Sequence, residues 1–121
     1  MSPSIATALI AFVALLQTLI AVVEIFLWKV PRVHERLNFT AAEAKKVAPI
    51  VANAGLYNSF LAAGLIWSVV SGSGGPDIAV FFLTCVAVAG VFGAITLKPT
   101  TLLLQTVPGV IALAAVLTSR S

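Results

Sequence analysis

Glu24 is the one charged residue lying inside an apolar stretch; the other ten of the chain's eleven charged residues fall outside its four long apolar runs. A charged side chain in hydrocarbon costs roughly 2.5–3.5 kcal/mol even on lenient insertion scales, so its retention implies chemistry or a specific packing role. The chemistry open to it is proton binding. A carboxyl group withdrawn from water favours its neutral form, and water, or Arg32 or Lys98 reaching inwards, would restore the charge. No Lys, Arg or His falls within an apolar run, so Glu24 has no cationic partner there. The same runs carry few other polar groups: Gln17 in the first, Asn53, Tyr57 and Asn58 in the second, Thr84, Cys85 and Thr96 in the third, Gln105 in the fourth. Gln17 and Glu24 are seven residues apart, and Asn53 and Tyr57 four apart, so each pair shares one face of a helix.

Positioning these groups requires membrane-spanning helices. Hydrophobic residues make up 60% of the 121 residues and charged residues 9%, and mean hydropathy is +1.12. Soluble domains carry about 25% charged residues, so most of this surface must face lipid. The expected spans are 5–28, 47–70, 78–97 and 101–118, each long enough to cross a hydrocarbon core of about 30 Å. The fold class is therefore an all-α membrane protein, four helices in an up-down bundle forming a single transmembrane domain over 1–121. The first span is expected to be retained rather than cleaved, having no basic leading segment and ending in Trp28-Lys29 instead of a small-residue cleavage site.

Six basic residues (Lys29, Arg32, Arg36, Lys45, Lys46, Lys98) lie on one side of these spans and Arg120 on the other. The positive-inside rule then predicts a multi-pass protein of the inner membrane with loops 29–46 and 98–100 cytoplasmic and both termini extracytoplasmic. Trp28 and Trp67 are placed as interfacial anchors. Within the first loop, Thr40-Ala41-Ala42-Glu43 reads as a capping box. Pro49 should kink the helix that follows, or separate an interfacial turn from the span. Residues 71–76 form a Gly/Ser-rich outer hairpin, and Lys98-Pro99-Thr100 a tight inner turn.

With that topology, depth from the cytoplasmic ends is roughly 6 Å for Glu24 and Gln105, about 9 Å for Asn53, and roughly 15 Å for Gln17, Tyr57 and Asn58. The expected interior therefore has two polar tiers: Glu24, Asn53 and Gln105 nearer the cytoplasm, and Gln17, Tyr57 and Asn58 at mid-membrane. Gly55, Ser59 and Ala63 on span two, and Gly90 and Ala94 on span three, are small-xxx-small patterns where backbones pack closely. Pro108-Gly109 predicts a bend beside Gln105.

Plainer roles compete for the same residues. Polar groups in spans act as interhelical glue, worth about 0.6 kcal/mol per hydrogen bond. Cys85, the only cysteine, reads as an apolar filler with nothing nearby to activate it. His34 reads as a solvated loop residue. No metal cluster, nucleotide loop or nucleophile–base pair is present, so no metal and no cofactor is expected. The localised basic residues mark lipid contact and topology rather than nucleic-acid binding.

The string Gly55-Leu56-Tyr57-Asn58-Ser59-Phe60-Leu61-Ala62-Ala63-Gly64-Leu65, with Asn53 before it, resembles the signature of a bacterial membrane protein family catalogued as domain of unknown function 1304. The resemblance continues through Glu24-Ile25-Phe26-Leu27-Trp28, Cys85, Ala89-Gly90-Val91-Phe92-Gly93-Ala94, and Gln105 with Pro108. It implies a four-span membrane protein and no activity. The pattern carries a histidine where this chain has Gln17 and a glutamine where it has Ala54, so any chemistry of that histidine is lost or altered here.

Three readings follow. The first is a proton-linked binding or transport protein for a small lipophilic molecule, using Glu24 with Asn53, Tyr57, Asn58, Gln105 and Gln17, its partners being membrane lipid and further copies of itself. This architecture is similar to that of small multidrug transporters, although a charge bias of six to one fixes one orientation where dual-topology members need balance. The second is a structural or accessory subunit. The third is an acid/base enzyme, isomerase-like, acting on a lipophilic substrate. Transport requires a water-accessible Glu24, an enzyme requires a pocket lined by Glu24, Tyr57 and Asn58, and a structural role requires every polar group satisfied with no cavity.

Overall fold

The computed structural model describes residues 3–97 and 100–119. Helix α1 (Pro3–Val22) runs directly into a π-helical turn, Val23–Leu27. A short α2 (Pro31–Glu35) follows, then α3 (Ala41–Val70), a 3-10 turn at Gly72–Gly74, and α4 (Gly75–Thr96). A second π-helical turn, Leu102–Thr106, leads into α5 (Val107–Ser119). There is no strand among the described residues. Four helical stretches, Ser4–Leu27, Ala41–Val70, Gly72–Thr96 and Leu102–Ser119, are long and apolar enough to cross a membrane. The chain is thus an all-α, multi-pass membrane protein. Lys98 and Pro99 of the expected inner turn, and Arg120 of the charge asymmetry, lie outside the described residues.

Helix α1 packs on α3 and α5, and α4 packs on the same two, so the helices close a ring with α1 and α4 on its diagonal. The core fills the half of the bundle nearer the chain termini. Ala6, Ile10, Val13 and Ala14 of α1 meet Leu65 of α3, Ala79, Leu83 and Val86 of α4, and Ala112, Ala115 and Val116 of α5. The alanines let neighbouring helices approach, which is how helices associate where lipid offers no hydrophobic drive.

The opposite end is shaped by the loop between α1 and α3. Thr40 caps α3: its hydroxyl accepts from the Glu43 amide at 3.2 Å, and the Glu43 carboxylate accepts from the Thr40 amide at 2.9 Å. That backbone bond first, and the Thr40 side chain second, hold the Glu43 carboxyl below its ordinary value. The helix is continuous through Pro49, so no interfacial turn is split from the span. Helix α2 ends in a Schellman motif. Asn38 takes a left-handed conformation (φ 64°), Phe39 N–H reaches the His34 carbonyl at 3.1 Å, and Asn38 N–H reaches that of Glu35 at 3.0 Å.

Two expectations for this loop are corrected. His34 is buried, not solvated, with Nδ1 2.9 Å from the Phe39 carbonyl. Trp28 is buried in the protein rather than exposed as an anchor: its indole N–H donates to the Ala44 carbonyl at 2.9 Å, and its ring meets Phe39 edge-on at 5.3 Å. Both are drawn inward because backbone carbonyls satisfy their polar atoms, leaving the ring surfaces free to pack. Trp67, at the other end, is exposed as an anchor would be.

Candidate functional site

Beside this core a cleft of about 1340 Å³ runs along α4, larger than the roughly 300–1,000 Å³ of ordinary small-molecule pockets. One wall is formed by Leu16, Leu19 and Ile20 of α1 and Val23 and Glu24 of the first π turn, with Val51 and Asn58 of α3 beside them. The other is α4, which lines the cleft from Asp77 in its first turn to Leu97 just past its end. That is roughly 30 Å of helix at 1.5 Å per residue, the thickness of a hydrocarbon core. Gln105 and Leu104 of the second π turn, with Thr101 just before it, join this wall, and Trp28, Val33, Leu37 and Phe39 close the loop end.

Glu24 stands on the first π turn, half-buried, and accepts a 2.6 Å hydrogen bond from the Asn58 side-chain amide. The sequence-based depths separated these two residues by more than one helical turn. Side chains lean towards the N-terminus of their own helix. In antiparallel α1 and α3 they lean towards each other, so a residue nearer one end of α1 meets one deeper along α3. Gly55 allows the approach: a Cβ there would stand 2.7 Å from Ile25 Cγ1 and 3.0 Å from Glu24 Cβ.

The second π turn follows from Pro108, which has no N–H to offer the Leu104 carbonyl four residues back. The Val107 N–H bonds the Leu102 carbonyl, five residues back. The widened turn is tied across to α4: Thr106 hydroxyl donates to the Ala87 carbonyl at 3.0 Å and Thr101 hydroxyl to that of Gly90 at 2.8 Å. Gly90 lies directly against this turn, where a Cβ would meet the Thr106 amide nitrogen at 2.7 Å. The polar residues Glu24 and Gln105 therefore both reach the cleft from π-helical turns, insertions that recur at functional sites.

The structure divides the expected site residues. Glu24, Asn58 and Gln105 line the cleft. Asn53 and Tyr57 share a face of α3, as their spacing required, but that face is exposed, with Tyr57 edge-on to Phe60 at 5.8 Å. The inward tiers that included them are corrected accordingly: residues 55, 58 and 62 turn towards the bundle, and 53 and 57 lie on the other side of the same helix. Gln17 is fully buried, and neither its amide nitrogen nor its oxygen has a partner; the Gln105 amide oxygen is likewise buried and unpaired. Of the expected packing residues, Gly55 and Gly90 are buried at helix contacts, Ser59 and Ala94 are half-buried, and Ala63 is exposed. Gly93 adds a close approach, to Thr101.

Sequence reasoning passed over Thr101 and Thr106, whose hydroxyls join α4 to the π turn, and Asp77, which lines the cleft at the start of α4. The signal for the threonines was their spacing before Pro108 on a segment otherwise read as apolar. No group of three or more His, Cys, Asp or Glu residues placed to hold a metal occurs among the described residues.

No curated protein and no solved structure matches the chain. A family model described as Protein of unknown function (DUF1304) matches residues 11–117, most of every spanning helix, and the chain belongs to that family.

Proposed function

We propose that this protein binds a small lipophilic molecule in the cleft, coupled to protonation of Glu24, as a proton-linked binding or transport protein of the inner membrane. The observation that carries the reading is the Glu24–Asn58 hydrogen bond on the wall of a large apolar cleft. A titratable group placed where an apolar ligand would sit links ligand occupancy to proton occupancy. The orientation proposed has the end bearing Lys29, Arg32, Arg36, Lys45 and Lys46 in the cytoplasm, from the positive-inside rule. A purely structural role is less well supported, because it leaves the cleft and the unpaired amides of Gln17 and Gln105 without a reason. An acid/base enzyme would draw on Tyr57 as a second proton donor, and Tyr57 faces away from Glu24.

The test is an infrared pH titration of the protein in lipid, with Glu24→Gln identifying the carboxyl band. A band that titrates within the accessible pH range and exchanges readily with heavy water is the expected result. A band unchanged at every pH and slow to exchange would overturn the proton-linked reading in favour of a sealed structural hydrogen bond.

A further inference from the structure

We propose that the ligand of this cleft is a lipophilic cation: a bulky apolar body bearing one positive charge, seated with that charge against Glu24. The inference rests on the binding function proposed above and adds the charge of the ligand.

Charge is distributed unevenly around the cleft. The chain has seven basic and four acidic residues, yet the charged residues lining the cleft are two acids, Glu24 and Asp77, with no described Lys or Arg among them. The uncharged polar groups point the same way. Five side-chain donors along the cleft already donate within the protein: Trp28 to the Ala44 carbonyl, Asn58 to Glu24, Thr84 to Val80, Thr96 to Phe92 and Thr101 to Gly90. The buried, unpartnered atom on the opposite wall is an acceptor, the Gln105 amide oxygen. An anion seated at Glu24 would face its carboxylate with these donors occupied. A cation there meets acceptors at both walls, and Phe39 and Phe92 add aromatic surface to the lining, which suits positive charge. The apolar remainder of the lining takes the hydrophobic body.

The experiment uses the full chain in lipid nanodiscs, with Trp67→Phe leaving Trp28, at the loop end of the cleft, as the fluorescent reporter. Tetraphenylphosphonium, its anionic isostere tetraphenylborate and neutral triphenylmethanol are titrated in turn, with empty nanodiscs subtracted. Saturable binding of the phosphonium alone is expected, weakened roughly tenfold or more by Glu24→Gln, the size of one charge-assisted contact. Phosphonium binding that Glu24→Gln leaves unchanged overturns the assignment of the charge to Glu24. Saturable binding of the borate or triphenylmethanol without the phosphonium overturns the cation while sparing the lipophilic cleft. If none of the three binds, both the inference and the binding reading fail. Should Glu24→Gln not fold, the comparison of phosphonium with borate on the Glu24-containing protein decides by itself.

Discussion

At the scale of single residues, the bond between Asn58 and Glu24 offers a way to read protonation from energetics. Its 2.6 Å length suits an amide donating to either a carboxyl or a carboxylate oxygen. Neutral interhelical hydrogen bonds in membranes are worth about 0.6 kcal/mol, whereas those to a charged group reach about 1.5–3 kcal/mol. A double-mutant cycle with Glu24→Ala and Asn58→Ala, followed by unfolding in mixed micelles, should therefore give a coupling that grows from the lower figure to the higher as pH rises through the titration of Glu24. A coupling constant across pH would mean the group never titrates. Gln17 presents the opposite case, fully buried with both amide atoms unpaired. Replacing an unsatisfied buried polar group by an apolar one of similar shape removes its desolvation penalty, so Gln17→Met should raise stability by about 1 kcal/mol or more. A loss of stability in the same unfolding measurement would show instead that the amide holds a water or ligand. Glu24, Asn58 and Gln105 were legible in sequence as rare polar groups in apolar runs. What spacing alone does not reveal is which side of α3 faces inward. Asn53 and Tyr57 obey the same helical periodicity as residues 55 and 58, on a helix that is apolar on both sides.

Among the elements, the four long apolar helices were legible because length and hydropathy are set by the bilayer, and α3 begins at the capping box its residues encode. The π turns were not legible. A proline announces a missing hydrogen bond without saying whether the helix will kink, break or widen, and nothing near Val23–Leu27 announces an insertion at all. The contact of α4 with the second π turn depends on the absence of a side chain at Gly90. Gly90→Ala would press a methyl group against the backbone of Thr106, and overpacking of this kind costs about 1–3 kcal/mol. The measurable outcome is a lowered unfolding midpoint together with loss of ligand binding; an unchanged midpoint would mean the turn gives way freely. The start of α3 is the element whose pH response has a definite sign. The Glu43 carboxyl is held below its ordinary value by the Thr40 amide and hydroxyl, so the stabilisation is present above the ordinary carboxylate range and is lost as pH falls through the lowered value. The protection factor of the Glu43 amide, its exchange relative to the free amide at the same pH, should fall on acidification over that lower range. Thr40→Ala, which removes the cap at a typical cost of ~1 kcal/mol, should lower it at every pH.

For the whole molecule, the decisive contrast is between a filled core and an open cleft beside it. Near the termini, alanines and leucines fill the space between the four helices; alongside, the cleft runs from Asp77 past both π turns to the loop around Trp28. A bundle built only to stand in lipid gains nothing from leaving such a cleft unfilled, since every void forfeits packing contacts. Proton linkage adds a further requirement, that water reach Glu24 within hydrocarbon. Cys85 reports on it, being the only cysteine, half-buried and on the cleft wall. Maleimides react with the thiolate, and a thiol in a dry apolar environment does not ionise to form it. In reconstituted vesicles, a membrane-permeant maleimide should label Cys85, and tetraphenylphosphonium should slow the reaction by occupying the same space. Cys85→Ser removes the signal and serves as the control. A Cys85 that stays unlabelled would mean a dry cleft, which has no route for a proton to Glu24 and reduces the 2.6 Å bond with Asn58 to a clasp between α1 and α3.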